Sequence, residues 1–303
     1  MQHTNILIIS DIEGSSLCRD YESTTFLGRG WPRACLGMSK DVNAVVRALY
    51  NAGAREVTVQ DFHRTGFNIF PEIIDKRARV VQGYRQGPVP GIGRAHGATG
   101  LVMTGMHAPS GADAILAHTL TSRIARLEVN GRLMTEAELF CASLAPFGLV
   151  PLFISGCPTA CDYAANAIDG LTSFPLHQEI RGSEARAMTW REQMAAAAAA
   201  ALKSPAGRPF NPKGPFEAKV TLRKGSGEAQ KLAARWNLEA HGPQVTIQAR
   251  DLNRIYLELV RLVYLNRFTQ HVLPPGLFLY RIMGRLGLAW IRRQLKNLPP
   301  SLR

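Results

Sequence analysis

The feature that most constrains the fold is the alternation of short apolar segments and helical segments through the first 170 residues. The helical pattern SKDVNAVVRALYNAG (39–53) has Ser39 as an N-cap and Gly53 as a stop signal. Five apolar runs indicate strands: NILIIS (5–10), EVTVQ (56–60), ARVVQG (78–83), GLVMTG (100–105) and LVPLFISG (149–156). This alternation predicts an α/β fold, a layered α/β/α domain with a mostly parallel sheet and some antiparallel pairing.

Further elements divide the rest of the chain. RIARLEVNGRLM (123–134) predicts a hairpin that turns at Asn130–Gly131, and TEAELFCASLAPFG (135–148) predicts a helix. An alanine-rich helix is expected at 189–204, before a Pro/Gly-rich connection at 205–215. A smaller α/β piece and a helical basic tail complete the chain. The predicted divisions are 1–205 for the main domain, 206–252 for the smaller piece and 253–303 for the tail.

The composition restricts the compartment and the class of protein. The 303 residues and 46% hydrophobic content provide a sizeable core. The N-terminus lacks a basic region and a cleavage site, so it predicts a first strand and not a signal peptide. The sequence has no run of eighteen or more apolar residues, so a membrane-spanning helix is not expected. Five cysteines without a regular framework favour a reducing, cytoplasmic compartment.

The positive charge is concentrated in the tail. The formal net charge is +13, and residues 250–303 contain ten Lys or Arg against two acids. The segment 276–303 predicts a cationic amphipathic helix with Arg281, Arg285, Arg292 and Lys296 on one stripe. Its apolar side fits packing on the domain or a neighbouring subunit. Peripheral contact with an anionic membrane is the alternative. Nucleic-acid binding is not expected, because no aromatic platform accompanies the charge.

Acidic and histidine side chains follow several of the predicted strands. Because ligand sites of open α/β sheets lie beyond the carboxyl ends of strands, these residues are expected near one another. In the stretch DIE, the two acids are separated by one residue, so an extended chain turns both toward one site. The set comprises Asp11, Glu13, His63, His107 and Glu136, with His118 eleven residues beyond His107.

A mixed histidine and carboxylate set suits zinc or a similar first-row ion. Five ligands exceed the needs of one open zinc site and fit two ions that share a bridging carboxylate. Taken singly, each histidine also fits a core or surface position. Asp11 or Glu13 alone also fits a cap of the following segment. The joint placement at strand ends is what favours the metal site.

Seven segments carry a family resemblance. In order and spacing, the chain resembles the D-aminopeptidases of the DppA type, which are binuclear zinc peptidases of bacteria. The resemblance covers roughly residues 5–200 and rests on SDIEG, DVNAVV, VQDFHRTGFN, TGMHA, LAHT, VNGRLMTE and PLFISG.

The resemblance implies a role for each candidate residue. Asp11 would bridge two Zn²⁺ ions per subunit and Glu13 would bind one of them. His63, His107 and Glu136 match the remaining metal ligands. His118 matches the family's active-site histidine that is not a ligand, which makes it the catalytic candidate. Asp61 would orient His63 or the nearby loop.

The resemblance also implies an activity and an assembly. The expected enzyme is a metallo-aminopeptidase that hydrolyses short peptides, including D-amino-acid peptides, by attack of a metal-bound water. The family's architecture implies a homo-oligomer, a decamer. Two alternatives stay open: an amidase or isopeptidase acting on peptidoglycan fragments or other amides, and a retired peptidase fold that binds a membrane or a partner. The chain departs from the family at CPTAC (157–161), which is expected to shape the substrate end of the pocket.

Overall fold

The computed structural model describes residues 3–204 and 207–297. The strands are β1 (Asn5–Ser10), β2 (Glu56–Asp61), β3 (Arg79–Val81), β4 (Gly100–Met106), β5 (Ile124–Val129), β6 (Arg132–Leu133), β7 (Val150–Gly156), β8 (Thr172–Pro175), β9 (Phe216–Leu222), β10 (Glu239–His241) and β11 (Gln244–Ala249). The helices are α1 (Tyr21–Thr24), α2 (Trp31–Asn51), α3 (Glu136–Leu144), α4 (Pro158–Ala167), α5 (Glu184–Lys203), α6 (Ser226–Trp236), α7 (Leu252–Tyr264), α8 (Arg267–His271) and α9 (Leu273–Lys296). A short 3₁₀ turn, Ala145–Phe147, follows α3.

The larger sheet has six strands in the order β3-β2-β1-β4-β7-β8, and all of its neighbouring strands are parallel. The chain builds outward from β1 in one direction through β2 and β3, and in the other direction from β4. The topological switch point therefore lies between β1 and β4, which is where open α/β sheets bind their ligands. The predicted α/β class with a mostly parallel sheet is confirmed.

Strand alternation separates two cores on the faces of this sheet. In β1, Ile6 and Ile8 belong to a core with helices α2 and α5, whereas Leu7 and Ile9 point to the opposite core. That second core includes α3 and α4 and continues into the other sheet. Residues i and i+1 of a strand face opposite sides, so four consecutive apolar residues are what a strand covered on both faces requires.

The smaller sheet is antiparallel, with the strand order β10-β11-β9-β5-β6. The hairpin predicted at Asn130–Gly131 is present, and its strand β5 pairs with β9. The hairpin therefore contributes its antiparallel pairing to the second sheet and not to the parallel one. This sheet joins residues 124–133 with residues 216–249. The division at 205 and 252 stays a prediction.

Helix α2 begins earlier than the sequence pattern indicated. It starts at Trp31 with Pro32 in its first turn, and its N-cap position is Gly30. Ser39 is not a cap, because it lies inside the helix and its hydroxyl donates to the Cys35 carbonyl at 2.7 Å. Proline is favoured in a first turn, since its missing N–H would be unpaired there in any case.

The predicted tail is helical through its described part. Helix α7 buries eight side chains, and α9 packs one side on the main domain through Gly284 and Gly287. A Cβ at Gly284 would lie 2.3 Å from Phe67, so only glycine allows this close approach. Residues 298–303 of the predicted tail lie outside the described residues. No helix within residues 3–204 and 207–297 is long and apolar enough to cross a membrane.

Candidate metal centre

The turn after β1 places Asp11 and Glu13 beside the end of β4. The Asp11 amide donates to the Thr104 carbonyl at 2.9 Å, and the Gly14 amide donates to the Gly105 carbonyl at 2.8 Å. Gly105 has a φ of +72°, and a Cβ there would lie 2.0 Å from the Asp11 carbonyl oxygen. The glycine in GLVMTG is therefore needed for the close approach that positions the acids.

Asp11, Glu13 and His63 form the first cluster. His63 Nδ1 lies 3.0 Å from Asp11 Oδ1 and 3.0 Å from Glu13 Oε2. Its Nε2 lies 3.0 Å from the Thr24 carbonyl oxygen. Because a carbonyl only accepts, Nε2 must carry the proton, and Nδ1 of the neutral ring is left as a lone-pair donor toward the acids.

His107, His118 and Glu136 form the second cluster. His107 Nε2 lies 3.4 Å from Glu136 Oε1, and the rings of His107 and His118 are stacked. His107 Nδ1 lies 3.1 Å from the Ala108 carbonyl, and His118 Nδ1 lies 2.8 Å from the Leu116 carbonyl. In both neutral rings Nε2 is therefore the lone-pair donor. Glu136 begins α3 directly after the Thr135 N-cap, so the helix start fixes its position.

Asp11 connects the two clusters. Its Oδ1 lies 3.0 Å from His63 Nδ1, and its Oδ2 lies 3.3 Å from His107 Nε2. Asp11, Glu13, His63, His107 and Glu136 are all buried. His118 is the more exposed member, with 23% of its side chain accessible, and its Nε2 lies 4.0 Å from Glu13 Oε1.

The buried charges shift the pKa values in opposite directions. Burial opposes ionisation of Asp11, but hydrogen bonds from His107 and His63 outweigh it and hold the pKa of Asp11 well below its usual value. Burial also disfavours the charged form of His63, but Glu13 and Asp11 raise its pKa to about 10. The pKa of His107 is likewise raised, by Glu136 and Asp11 against burial. The pKa of His118 is lowered by burial and by the charge of His107.

The donor set fits metal ions. There are two groups of three potential ligand residues, and within each group the ligand atoms lie within 4.8 Å of one another. The groups are Asp11/Glu13/His63 and His107/His118/Glu136. Glu13 Oε2 and His107 Nε2 are buried without a well-formed hydrogen bond to any described residue. Each histidine turns one nitrogen to a backbone carbonyl and the other to the carboxylates, as metal-binding imidazoles do. A divalent cation would satisfy both unpaired atoms and neutralise the acids.

Asp61 supports the loop that carries His63. Its carboxylate accepts from the backbone amides of Asn68 and Ile69 at 2.5 and 2.8 Å. The Asn68 side chain in turn donates to the His63 carbonyl at 2.7 Å. Burial raises the pKa of Asp61 to about 6, against these hydrogen bonds. The expected orienting role of Asp61 would therefore act on His63 through the backbone of this loop and not through a hydrogen bond to the imidazole.

The sequence did not reveal the residues whose hydrogen bonds support the DIEGSS turn. Arg181 Nη1 donates to the Glu13 carbonyl at 2.7 Å. Asp41 accepts from the Ser16 amide and hydroxyl, and Arg191 donates to Asp41 at 2.8 Å. The partners are 25 to 168 residues apart along the chain, so no local pattern could have revealed them. The only sequence signal was the pair of serines after Gly14.

The structure brings all six predicted residues together. Asp11, Glu13, His63, His107 and Glu136 surround one buried region, and His118 borders it. Their individual roles as ligands and catalyst stay predictions. The CPTAC segment supplies the start of α4, where Cys157 is the N-cap.

A histidine and carboxylate cluster at the switch point of a parallel α/β sheet is suited to hold catalytic metal ions. The chain belongs to the D-aminopeptidase family, whose model matches residues 4–259. It is a metallo-aminopeptidase, as the sequence predicted. Among solved structures it is similar to the Zn-dependent D-aminopeptidase DppA from Bacillus subtilis, a self-compartmentalizing protease. The TM-score is 0.74 and the identity 20%, over 85% of this chain and 96% of that one. No curated protein matches the chain.

Proposed function

We propose that this chain is a binuclear zinc aminopeptidase that hydrolyses short peptides, including D-amino-acid peptides. The observation that carries the proposal is the position of Asp11, with one carboxylate oxygen toward His63 and the other toward His107. One ion would be held by Asp11, Glu13 and His63, and the other by Asp11, His107 and Glu136. Zinc bound there supplies an acidified water and a polarised substrate carbonyl.

The chain's own residues would orient the substrate and move the proton. His118 Nε2 faces Glu13 across 4.0 Å, and its Nδ1 proton is held by the Leu116 carbonyl. The lowered pKa of His118 keeps the ring neutral near pH 7, so Nε2 is available to accept a proton from the attacking water. His118 would then return that proton to the leaving amine. A free substrate amine would pair with the surrounding carboxylates, which gives selectivity for the N-terminus.

The test is metal analysis combined with hydrolysis assays. Purified protein loaded with zinc should retain near two ions per chain and hydrolyse L- or D-dipeptides. A protein that binds no zinc and hydrolyses no member of a panel of dipeptides, amides and muropeptides would refute the proposal. Turnover limited to amides or muropeptides would support the alternative amidase or isopeptidase. Tight zinc binding without any turnover would support the retired fold.

We further propose a homo-oligomer, a decamer, for the active enzyme. The similarity to DppA, described as a self-compartmentalizing protease, supports a homo-oligomer, and the resemblance to the DppA-type enzymes is the ground for a decamer. Five buried thiols support a reducing, cytoplasmic location. Sedimentation velocity would measure the assembly. A single species at the monomer mass, at micromolar concentration, would contradict it.

Peripheral contact with an anionic membrane is proposed for the outer side of α9. Phe278, Leu279, Ile282 and Leu286 are exposed there, although they are large and apolar. No acid follows Glu258 in the sequence, whereas Arg285 and Arg293 are exposed beside these residues. Two members of the predicted cationic stripe are engaged within the chain: Arg292 pairs with Glu72, and Arg281 donates to the Tyr84 carbonyl.

Vesicle co-sedimentation tests the membrane contact. The protein should sediment with vesicles containing phosphatidylserine and remain in solution with neutral vesicles. The double change Leu279→Ser and Ile282→Ser should abolish sedimentation. Met188→Ser, which alters an exposed apolar residue of α5, is the matched control. Equal sedimentation of both variants would contradict the proposal.

A further inference from the structure

Arg64 is held beside the metal centre by a shared acceptor. Its Nε donates to the Thr24 carbonyl at 2.8 Å, and the same oxygen accepts from His63 Nε2 at 3.0 Å. Arg64 has a φ of +48°, a conformation that costs a residue with a Cβ about 1 kcal/mol or more. The shared acceptor places the guanidinium next to the Nε2 edge of His63.

The rest of the Arg64 guanidinium is available for a ligand. Arg64 is exposed, and in residues 3–204 and 207–297 neither Nη1 nor Nη2 has a hydrogen-bond partner or an acid within salt-bridge distance. A planar guanidinium whose two terminal NH2 groups are free matches a carboxylate, which it binds through two parallel hydrogen bonds. The position is therefore one where a substrate anion would be recognised.

The C-terminal part of the chain contacts the loop beside Glu136. The Tyr264 hydroxyl donates to the Leu120 carbonyl, and the Leu120 amide donates to Glu136 Oε1 at 2.7 Å. Helix α9 then crosses to the Arg64 side, where Gly284 packs against Thr65 and Phe67. The segment from Tyr264 to Gly284 thus connects the loop beside Glu136 with the loop beside His63.

Tyr280 of helix α9 interacts electrostatically with Arg64. Burial raises the pKa of Tyr280, and the charge of Arg64 opposes the rise. Tyr280 and Gly284 lie beyond residue 259, where the match to the family ends. Because Gly284 packs against Thr65, the surroundings of Arg64 include a part of the chain outside the family match.

We propose that Arg64 binds the C-terminal carboxylate of a short peptide whose scissile bond lies at the metal centre. The inference rests on the proposed function and names the residue that would bind the carboxylate of its short-peptide substrates. One residue spans about 3.5 Å of extended chain, so only short peptides place their carboxylate next to the metals. Peptide amides and long chains are disfavoured, because they leave the guanidinium unpaired.

Kinetics on a matched substrate pair test the proposal. D-alanyl-D-alanine and its C-terminal amide differ in one negative charge. The zinc-loaded protein should prefer the free acid by about tenfold or more in kcat/KM, as a charged hydrogen bond implies. Arg64→Gln should bring this preference toward unity through the KM of the acid, and Arg64→Lys should restore part of it. Arg55→Gln is the control, an exposed arginine at the amino end of β2, opposite the site.

An unchanged preference in Arg64→Gln would overturn the inference. An equal loss on both substrates, with lost zinc, would also overturn it, since Arg64 would then only support His63. Calorimetric binding of the same two dipeptides to the zinc-loaded His118→Ala variant gives a readout without turnover. Preferential binding of the acid that depends on Arg64, together with no hydrolysis by the unaltered protein, would refute the proposed function and keep the carboxylate subsite. Equal binding of acid and amide would refute the subsite.

Discussion

The imidazole rings of His107 and His118 lie parallel, with 3.9 Å between their centroids and 5° between their planes. Two stacked imidazolium ions would repel each other at this distance, so one ring must be neutral whenever the other is charged. The carboxylates around His107 favour charge there, and burial disfavours charge on His118. The two histidines are therefore suited to different roles. His107 is suited to bind a cation, and His118 is suited to exchange protons.

Replacing His118 should separate catalysis from metal binding. We expect His118→Ala to lower kcat by about 10²–10⁴-fold, the usual contribution of a general acid or base, while both zinc ions remain. The measurement is dipeptide hydrolysis together with zinc content on the same sample. His107→Ala is the comparison and should lose zinc. Equal loss of zinc from the two variants would show that His118 is itself a ligand.

Replacing Asp11 should cost more metal than replacing Glu136. Asp11 lies between both clusters, whereas Glu136 contacts only the second, through His107. We therefore expect Asp11→Asn to lose both ions and Glu136→Gln to retain one. Zinc content after dialysis measures the difference. Retention of one ion in both variants would show that Asp11 is not a bridge.

Zinc affinity should rise steeply with pH. The raised pKa values of His63, about 10, and of His107 mean that the metal-free protein holds both imidazoles protonated at pH 7. Each zinc ion must displace one of these protons, so the apparent affinity for each ion should increase by up to about tenfold per pH unit below those pKa values, and by about 100-fold for the two ions together. Chelator competition at pH 6.5, 7.5 and 8.5 measures this slope. An affinity independent of pH would contradict the protonated state.

The same shift sets the stability of the metal-free protein. The folded-state pKa of His63 lies above its unfolded value of 6.5, so its pairing with Asp11 and Glu13 stabilises the fold fully below pH 6.5. That stabilisation should be lost as the pH rises through about 10. Urea unfolding of the chelated protein should show a midpoint that declines from pH 6.5 to 10, and zinc should reverse the trend. A midpoint that increases over this range would contradict the charged pairing.

The glycine at the end of β4 should be required for the metal centre. Gly105→Ala places a Cβ 2.0 Å from the Asp11 carbonyl oxygen, in addition to the strain of a φ of +72°. We expect it to cost more than about 3 kcal/mol of unfolding free energy and to weaken zinc binding. Gly131→Ala has a similar φ, +78°, with nothing within 4 Å, so it should cost only about 1 kcal/mol. A similar loss of unfolding free energy in the two variants would show that the close approach at Gly105 does not matter.

The sequence predicted this site better than its surroundings, for a physical reason. Asp11, His63 and His107 directly follow strands that parallel pairing brings to one edge, so local patterns were sufficient to group them. The early start of α2 and the position of Ser39 were not predicted, because packing of Trp31 and Pro32 overrides local capping preference. Arg181, Asp41 and Thr24 reach the site from distant segments and carry no local pattern.

The pairing of β5 with β9 has a consequence for the order of events during synthesis. An isolated two-stranded hairpin is marginally stable in water, and the β5–β6 hairpin gains its neighbour only when residues 216–222 have left the ribosome. Glu136, which follows that hairpin directly, should therefore remain without its final position while the preceding ligands are already in place. A nascent chain from which residues 216–222 have not yet emerged would hold the first cluster but not the second, and zinc capture would be completed only late in translation.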